Sequence, residues 1–254
     1  MISEKPMAVT LEEADAILAA VERHRVPYTV VHNLLYSRAV RSAQALLRGG
    51  SLGEPLFGQG EMLGNKNEET TRGDRDWRAS KAMGGGALID SSYHEIYTVE
   101  TLMGSPIRYV EARLATLKFA IDVDDTALMT FEHANGKLSS VHAAWCVRTP
   151  TLRGRWVAVN GTRGAVRVVY SDPEPIARNS GGRWEPVPAE TLPEAPGGQP
   201  DDPTGHGAYL MAAVQAIGSG GPLPITGAQA RHNLEIVEAA RRASAERRAV
   251  EVLG

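Results

Sequence analysis

Residues 107–147 read IRYVEARLATLKFAIDVDDTALMTFEHANGKLSSVHAAWCV, and the reading of this run decides the fold. Ile107 to Lys118 and Thr126 to His133 alternate or run apolar with the two-residue period of a strand. Asn135-Gly136 is a hairpin dipeptide, so Lys137 to Val147 is expected to return as an antiparallel partner. Farther on, Trp156 to Asn160 and Ala165 to Tyr170 flank Gly161-Thr162-Arg163-Gly164 and predict a second hairpin. Ser171 to Thr204 is dense in Pro and Gly and predicts a long excursion around a short strand at Trp184. Helices near Tyr209 to Ile217 and Ala228 to Glu246, then a strand at Val250 to Leu253, close the chain.

Upstream of residue 107 the pattern is different. Thr10-Leu11-Glu12-Glu13 is a capping box, and Leu11, Ala14, Ile17, Leu18 and Val21 follow at helical spacing to about Arg23. Residues 26–31 form a β-branched run of the kind buried in a parallel sheet, and it ends at His32-Asn33. A helix is expected from Ser37 to Leu47, a polar surface loop from Gly64 to Lys81, and a further helix from Gly84-Gly85-Gly86 to Gly104. The fold class is therefore α/β (α+β): a small parallel α/β remnant, followed by an antiparallel or mixed open sheet with helices on one face. The uncovered face predicts a homo-oligomer, a dimer or tetramer.

Composition narrows the function classes. With 43% apolar and 22% charged residues, the 254-residue chain can bury a sizeable core. A net charge of -3, with scattered Lys and Arg, argues against a nucleic-acid partner. A lone cysteine, Cys146, can form neither an internal disulfide nor a structural zinc site and fits a reducing cytoplasm. No apolar run approaches a membrane span or a signal peptide.

The chemistry concentrates in Gly84-Gly85-Gly86-Ala87-Leu88-Ile89-Asp90-Ser91-Ser92-Tyr93-His94. On a regular helix Asp90 and His94 leave the same face, and a carboxylate beside an imidazole holds one tautomer and raises its basicity. That is what a general base for a hydroxyl proton requires, although such pairs also occur on solvated helix faces. Gly58-Gln59-Gly60 with Gly64 is a near miss to a phosphate-binding turn, better read as glycines in a strand that bulges or meets another backbone.

Glu4-Lys5-Pro6 with Ala8, His32-Asn33, Leu52-Gly53-Glu54-Pro55, Trp77-Arg78 and the 85–90 glycine segment with His94 together resemble the Gfo/Idh/MocA oxidoreductases. Asp124-Asp125 and the closing helix with Ala243-Ser244-Ala245 before Val250 are similar to that family too. The resemblance implies an amino-terminal dinucleotide-binding Rossmann domain, here only a remnant over 1–34, and a substrate-binding and oligomerisation domain over 35–254. It implies that Lys5 polarises a substrate hydroxyl, His94 takes its proton and Asp90 orients His94. Lys5 and Pro6 would bind the cofactor, NAD or NADP. The family's glycine-rich fingerprint would fill on the order of a hundred residues before Glu4 and is expected to be missing from the sequence. Where many relatives carry a second Asp, Tyr97 stands.

His32, Asn33, Trp77 and Arg78 are the substrate-binding candidates: strand-end residues lining a cleft, and an aromatic face with a guanidinium suited to a polyol. Lys81 is a further cleft candidate, His206 reads as a partly exposed helix terminus, and His142 as sheet surface or core. A metal-dependent reading, with Asp90, His94 and His32 as ligands, ranks a distant third, because spacing fixes no third ligand. Two functions follow. One is an NAD(P)-dependent dehydrogenase or reductase of a sugar, inositol or similar polyhydroxylated molecule; the other is a non-catalytic ligand-binding or oligomerisation module descended from one.

Overall fold

The computed structural model describes residues 1–69, 71–72, 76–148, 154–170, 172, 175–188 and 202–252. The chain opens with strand β1 (Ile2–Ser3), helix α1 (Leu11–Arg23), strand β2 (Thr29–Val30), helix α2 (Arg38–Arg48) and strand β3 (Pro55–Leu63). A π-helical turn at Leu88–Ser92 runs into helix α3 (Tyr93–Met103). Strands β4 (Ile107–Ala115), β5 (Thr126–His133), β6 (Leu138–Ala144), β7 (Arg155–Gly161), β8 (Ala165–Val169), β9 (Ile176–Asn179) and β10 (Trp184–Pro186) follow. Helices α4 (His206–Ser219) and α5 (Gly227–Glu246) and strand β11 (Val250–Glu251) complete it.

Local signals set several of these boundaries. The Thr10 hydroxyl accepts from the Glu13 amide at 3.2 Å while the Glu13 carboxylate accepts from the Thr10 amide at 3.3 Å, so the capping box closes both ways and starts α1. Ser37 caps α2 and Thr226 with Gln229 boxes α5 in the same manner. The strand expected over 26–31 pairs only at Thr29–Val30, parallel to β1. The surface loop after β3 contains short 3-10 turns at Trp77–Ala79 and Lys81–Met83. Residues 171, 173–174 and 189–201 of the Pro-rich excursion, and Leu253 of the expected last strand, lie outside the described residues.

The large sheet has nine strands in the order β10-β9-β8-β7-β3-β6-β5-β4-β11. All neighbours are antiparallel except β3 and β6, which pair in parallel and make the sheet mixed. The Gly58-Gln59-Gly60 segment lies in β3, at the sheet's middle. An added Cβ at Gly58 would stand 3.0 Å from Met103 and Val99, and one at Gly60 3.1 Å from the Glu95 Cβ. These glycines let α3 settle onto the sheet, so the close approach is to a helix rather than to another backbone.

Helices α2, α3 and α5 cover one face, where Ala127, Met129, Phe131, Val141, Val157 and Val159 are buried. One hydrophobic cluster runs from Met7, Ala14 and Val30 through α3 and α5 to Ile176, so the parallel pair and the large sheet share a core. The opposite face presents Phe57, Leu128, Leu138 and Trp184 to solvent beside a small cluster of Trp156, Ala158 and Val169. No helix of the described residues is long and apolar enough to cross a membrane.

Candidate active site

Because β1 and β2 run parallel, the residues just past their carboxyl ends, Glu4-Lys5 and His32-Asn33, arrive at one place, where open α/β sheets bind ligands. Facing them is the start of α3. Between lies a cavity of about 570 Å³ whose walls include Lys5, Asn33, Arg78, Asp90, His94 and Arg155. The structure thus brings all three residues expected to be catalytic to one cavity. A larger cavity, about 920 Å³, opens between α1, β4 and α5 and holds Lys81, Asp122 and Asp124 but no imidazole.

The expected Asp90–His94 contact does not form. Leu88–Ser92 is wound as a π-helix, with a wider turn than an α-helix, so a spacing of four no longer stacks two side chains. Gly86 anchors this turn: at φ +118° it approaches Asp124 so closely that a Cβ would sit 2.5 Å from the carboxylate. Asp124 then accepts the Leu88 amide at 2.7 Å. Asp90 instead gathers cations. Its Oδ1 accepts from Arg78 Nε at 3.1 Å and its Oδ2 from Lys66 Nζ at 3.3 Å. Lys5 donates to the Asp90 carbonyl at 2.9 Å, with its ammonium 3.9 Å from Oδ1. Burial pulls the Lys5 pKa down, and the Asp90 carboxylate opposes that pull.

His94 finds its partner three residues on, where Nδ1 meets the Tyr97 hydroxyl at 2.8 Å. Burial, then the positive charge of Lys5, pushes its pKa well below the usual imidazole value, so it is neutral at pH 7. Beneath it Glu95 is fully buried, and its Oε1 accepts from Arg155 Nε at 2.9 Å. Burial raises the Glu95 pKa and the Arg155 guanidinium restrains it. Arg155 also packs 5.0 Å from the Tyr170 ring, and both residues wall the cavity.

The other expected binding residues divide. Asn33 and Arg78 line the cavity. His32 does not: it is buried with 2% exposure, stacked 4.3 Å from Tyr97 at 5° between planes, a wall behind the site rather than a ligand contact. Trp77 is also outside the walls, its half-exposed ring lying 4.5 Å from the Arg78 guanidinium. Pro6 follows Lys5 without lining the cavity, and the Lys81 amide is tied to Asp122 at 2.8 Å on the far side. His206, read as a helix terminus, does line it, 2.9 Å from Thr204 Oγ1. His142 lies on the open sheet face, 4.0 Å from Glu61. Lys66, Arg155, Tyr170 and the role of Tyr97 escaped the sequence. Only Tyr97 had a usable signal there, its helical spacing of three from His94. Among the described residues, no group of three or more His, Cys, Asp or Glu side chains is placed to hold a metal ion.

His32 gives the site a pH signature. Desolvation holds its pKa at about 3, against 6.5 for an ordinary imidazole. Below about pH 6.5 the unfolded chain takes up a proton that the folded one refuses, so this stability is full at neutral pH and drains as pH falls, by about 1.4 kcal/mol per unit. Neutral, half-buried His94 acts with the same sign. Asp124, raised by burial to about 6, and His232, raised by Glu100, act oppositely, gaining stability as pH falls. The difference between wild type and His32→Phe isolates the one group. At pH 5 wild type is expected to have lost about 2 kcal/mol more of its pH 7 stability than the variant in urea titrations. Equal losses in both would show that His32 titrates normally.

A cavity of cations, a carboxylate and a neutral imidazole, at the open ends of a parallel strand pair and roofed by a mixed sheet, is the site of a two-layer α/β protein built to handle a small polar ligand. The chain belongs to the Gfo/Idh/MocA family: residues 40–167 match the family model described as the GFO/IDH/MocA C-terminal domain. It is 29% identical to a D-xylose 1-dehydrogenase [NADP(+)] of Haloarcula marismortui over 66% of this chain and 46% of that protein. With a levoglucosan dehydrogenase of Pseudarthrobacter phenanthrenivorans it shares 28% identity over 67% of this chain and 49% of the relative. The chain thus spans about half the length of the curated relatives it matches. A solved levoglucosan dehydrogenase, in complex with NADH and levoglucosan, superposes with a TM-score of 0.86 at 24% identity, covering 99% of this chain and 73% of that one.

Proposed function

We propose that this chain is the substrate-binding part of an NAD(P)-dependent oxidoreductase acting on a sugar, inositol or similar polyhydroxylated small molecule. The observation that carries the reading is the convergence of Lys5, Asp90 and His94 on one cavity. Lys5, held by the Asp90 carbonyl, stands ready to stabilise a developing alkoxide. His94, neutral at pH 7, accepts the hydroxyl proton at its ring nitrogen not engaged by Tyr97. With the O–H proton on His94, the C–H electron pair leaves as hydride and the carbon becomes a carbonyl. Arg78 binds the remaining hydroxyls, with Asn33 in the cavity wall behind, and Asp90 holds Lys5, Lys66 and Arg78 in register. The relatives' printed activities on xylose and levoglucosan favour this substrate class.

NAD or NADP supplies the hydride acceptor. Lys5, at the carboxyl end of β1 with its ammonium in the cavity, fits the nicotinamide end of such a cofactor, with Pro6 beside it. Among the described residues no glycine-rich turn joins a strand to a helix as a pyrophosphate cradle, so the chain's own contribution is confined to the ring end. On this reading residues 1–34 belong to the nucleotide-binding unit and 35–254 to the substrate domain. The open apolar sheet face is covered by a second copy in a dimer or tetramer, and the unpaired Cys146 suits a cytoplasmic setting.

Titrating the purified protein with NADH and NADPH, following nicotinamide fluorescence, tests the proposal. Saturable binding weakened at least about tenfold by Lys5→Ala, with reduction of NAD or NADP driven by a sugar or polyol, is the expected result. Absence of both leaves the chain as a non-catalytic module.

A further inference from the structure

The hydrogen bonds around His94 close only one way. Tyr97 has one hydroxyl proton and three neighbours: the Leu34 amide at 3.3 Å, His94 Nδ1 at 2.8 Å and Asn33 Oδ1 at 3.5 Å. The Leu34 N–H can only donate, so the hydroxyl oxygen accepts it. Asn33 is oriented independently, because its Nδ2 donates to the Thr204 carbonyl at 2.7 Å and lies 3.3 Å from His206 Nδ1. A flipped amide would set two carbonyl oxygens against each other. Asn33 Oδ1 therefore faces Tyr97 and, being buried, requires a donor. If Tyr97 gave its proton to His94 instead, that oxygen would be left unsatisfied, at a cost of about 1–3 kcal/mol. The arrangement that satisfies every group runs His94 Nδ1–H to Tyr97 oxygen, and Tyr97 O–H to Asn33 Oδ1.

We infer that Tyr97 and Asn33 are positioning residues that hold His94 as its Nδ1–H tautomer and so leave Nε2 as a proton acceptor for the substrate. The inference rests on the reading of His94 as the base. It assigns to a neutral relay the task that a carboxylate beside the imidazole would otherwise perform. The relay is rigidly built. The Tyr97 ring is stacked on His32, which lies edge-on to Tyr93 at 5.6 Å, and Tyr97 itself is 3% exposed. The charged and titratable groups that bear on His94 are Lys5, Arg155, His32 and His206, all cationic or able to become so, and among the described residues no carboxylate hydrogen-bonds its ring. A phenol and an amide do not compensate an imidazolium. His94 is consequently a weaker base than one paired with Asp, and it stays in its working form to lower pH.

The test is the protonation pattern of the His94 ring, read by long-range proton–nitrogen correlation on the uniformly ¹⁵N-labelled protein at pH 7, with the signals assigned by His94→Gln. Wild type is expected to show a neutral ring with the proton on Nδ1. Tyr97→Phe, which keeps the ring stacked on His32, is expected to move the proton toward Nε2. The same variant should lower kcat at least about tenfold with little change in KM, a part of the roughly 10²–10⁴ that a general base contributes. A wild-type ring protonated on Nε2, or a tautomer unmoved in Tyr97→Phe, overturns the inference. The wild-type spectrum decides alone if the variant fails to fold. Because this readout needs no substrate, absence of hydride transfer beside the expected tautomer would remove the base reading of His94 and leave the relay standing.

Discussion

His94→Ala is expected to lower turnover with a sugar or polyol substrate by at least about a hundredfold, while the variant melts close to wild type. The ring lines the cavity and makes one hydrogen bond, to Tyr97, so its removal costs the fold little and the chemistry its proton acceptor. Lys5 cannot substitute, because an ammonium only donates and has no lone pair to take the hydroxyl proton. Loss should appear in kcat rather than KM, since the proton moves only on the way to the transition state. Steady-state kinetics of both proteins checks this. Turnover within about threefold of wild type would take His94 out of the reaction.

Glu95→Ala is expected to have the opposite profile, a large loss of stability from a residue that does not wall the cavity. Glu95 has no exposed surface and carries half of an ion pair with Arg155; its Oε2 has no partner among the described residues. Deleting it leaves the Arg155 guanidinium, 27% exposed on the cavity wall, without its partner, so the cost falls toward the lower end of the roughly 3–5 kcal/mol for breaking a fully buried pair from one side. Replacing both partners by apolar groups, Glu95→Leu with Arg155→Met, should recover most of that, because no charge is then left buried. Urea unfolding of the three proteins measures it. A single substitution costing under about 1 kcal/mol would mean that water in the cavity screens Arg155 well enough to replace the Glu95 carboxylate.

These two expectations depend on different kinds of information, and the sequence carried only one of them well. The capping box at Thr10, the strand from Thr126 to His133 and the helix ending at Gly104 were legible because their signals are local: a cap, a period, a glycine. The strand Ile176–Asn179 was not, since it lies inside a Pro- and Gly-dense stretch and is fixed by pairing with Ala165–Val169. The π turn at Leu88–Ser92 was hidden for a related reason. It is set by Gly86 seating on Asp124, a contact between residues 38 apart by number (124 − 86) that no helical period announces. That turn undid the expected Asp90–His94 pair and gave the imidazole to Tyr97. Lys66 and Arg155 reach the site from a charged loop and the first residue of β7, positions where a cation usually only meets water.

The central claim is that one substrate hydroxyl sits between the Lys5 ammonium and the His94 imidazole. A crystal structure with a bound hexose or inositol tests it most directly. The account predicts a hydroxyl oxygen within hydrogen-bonding distance, about 2.6–3.2 Å, of both Lys5 Nζ and His94 Nε2, with Arg78 on a neighbouring hydroxyl. A ligand seated instead between α1 and α5, against Asp122 and Arg241, or one in the first cavity whose hydroxyls avoid both Lys5 and His94, would contradict it.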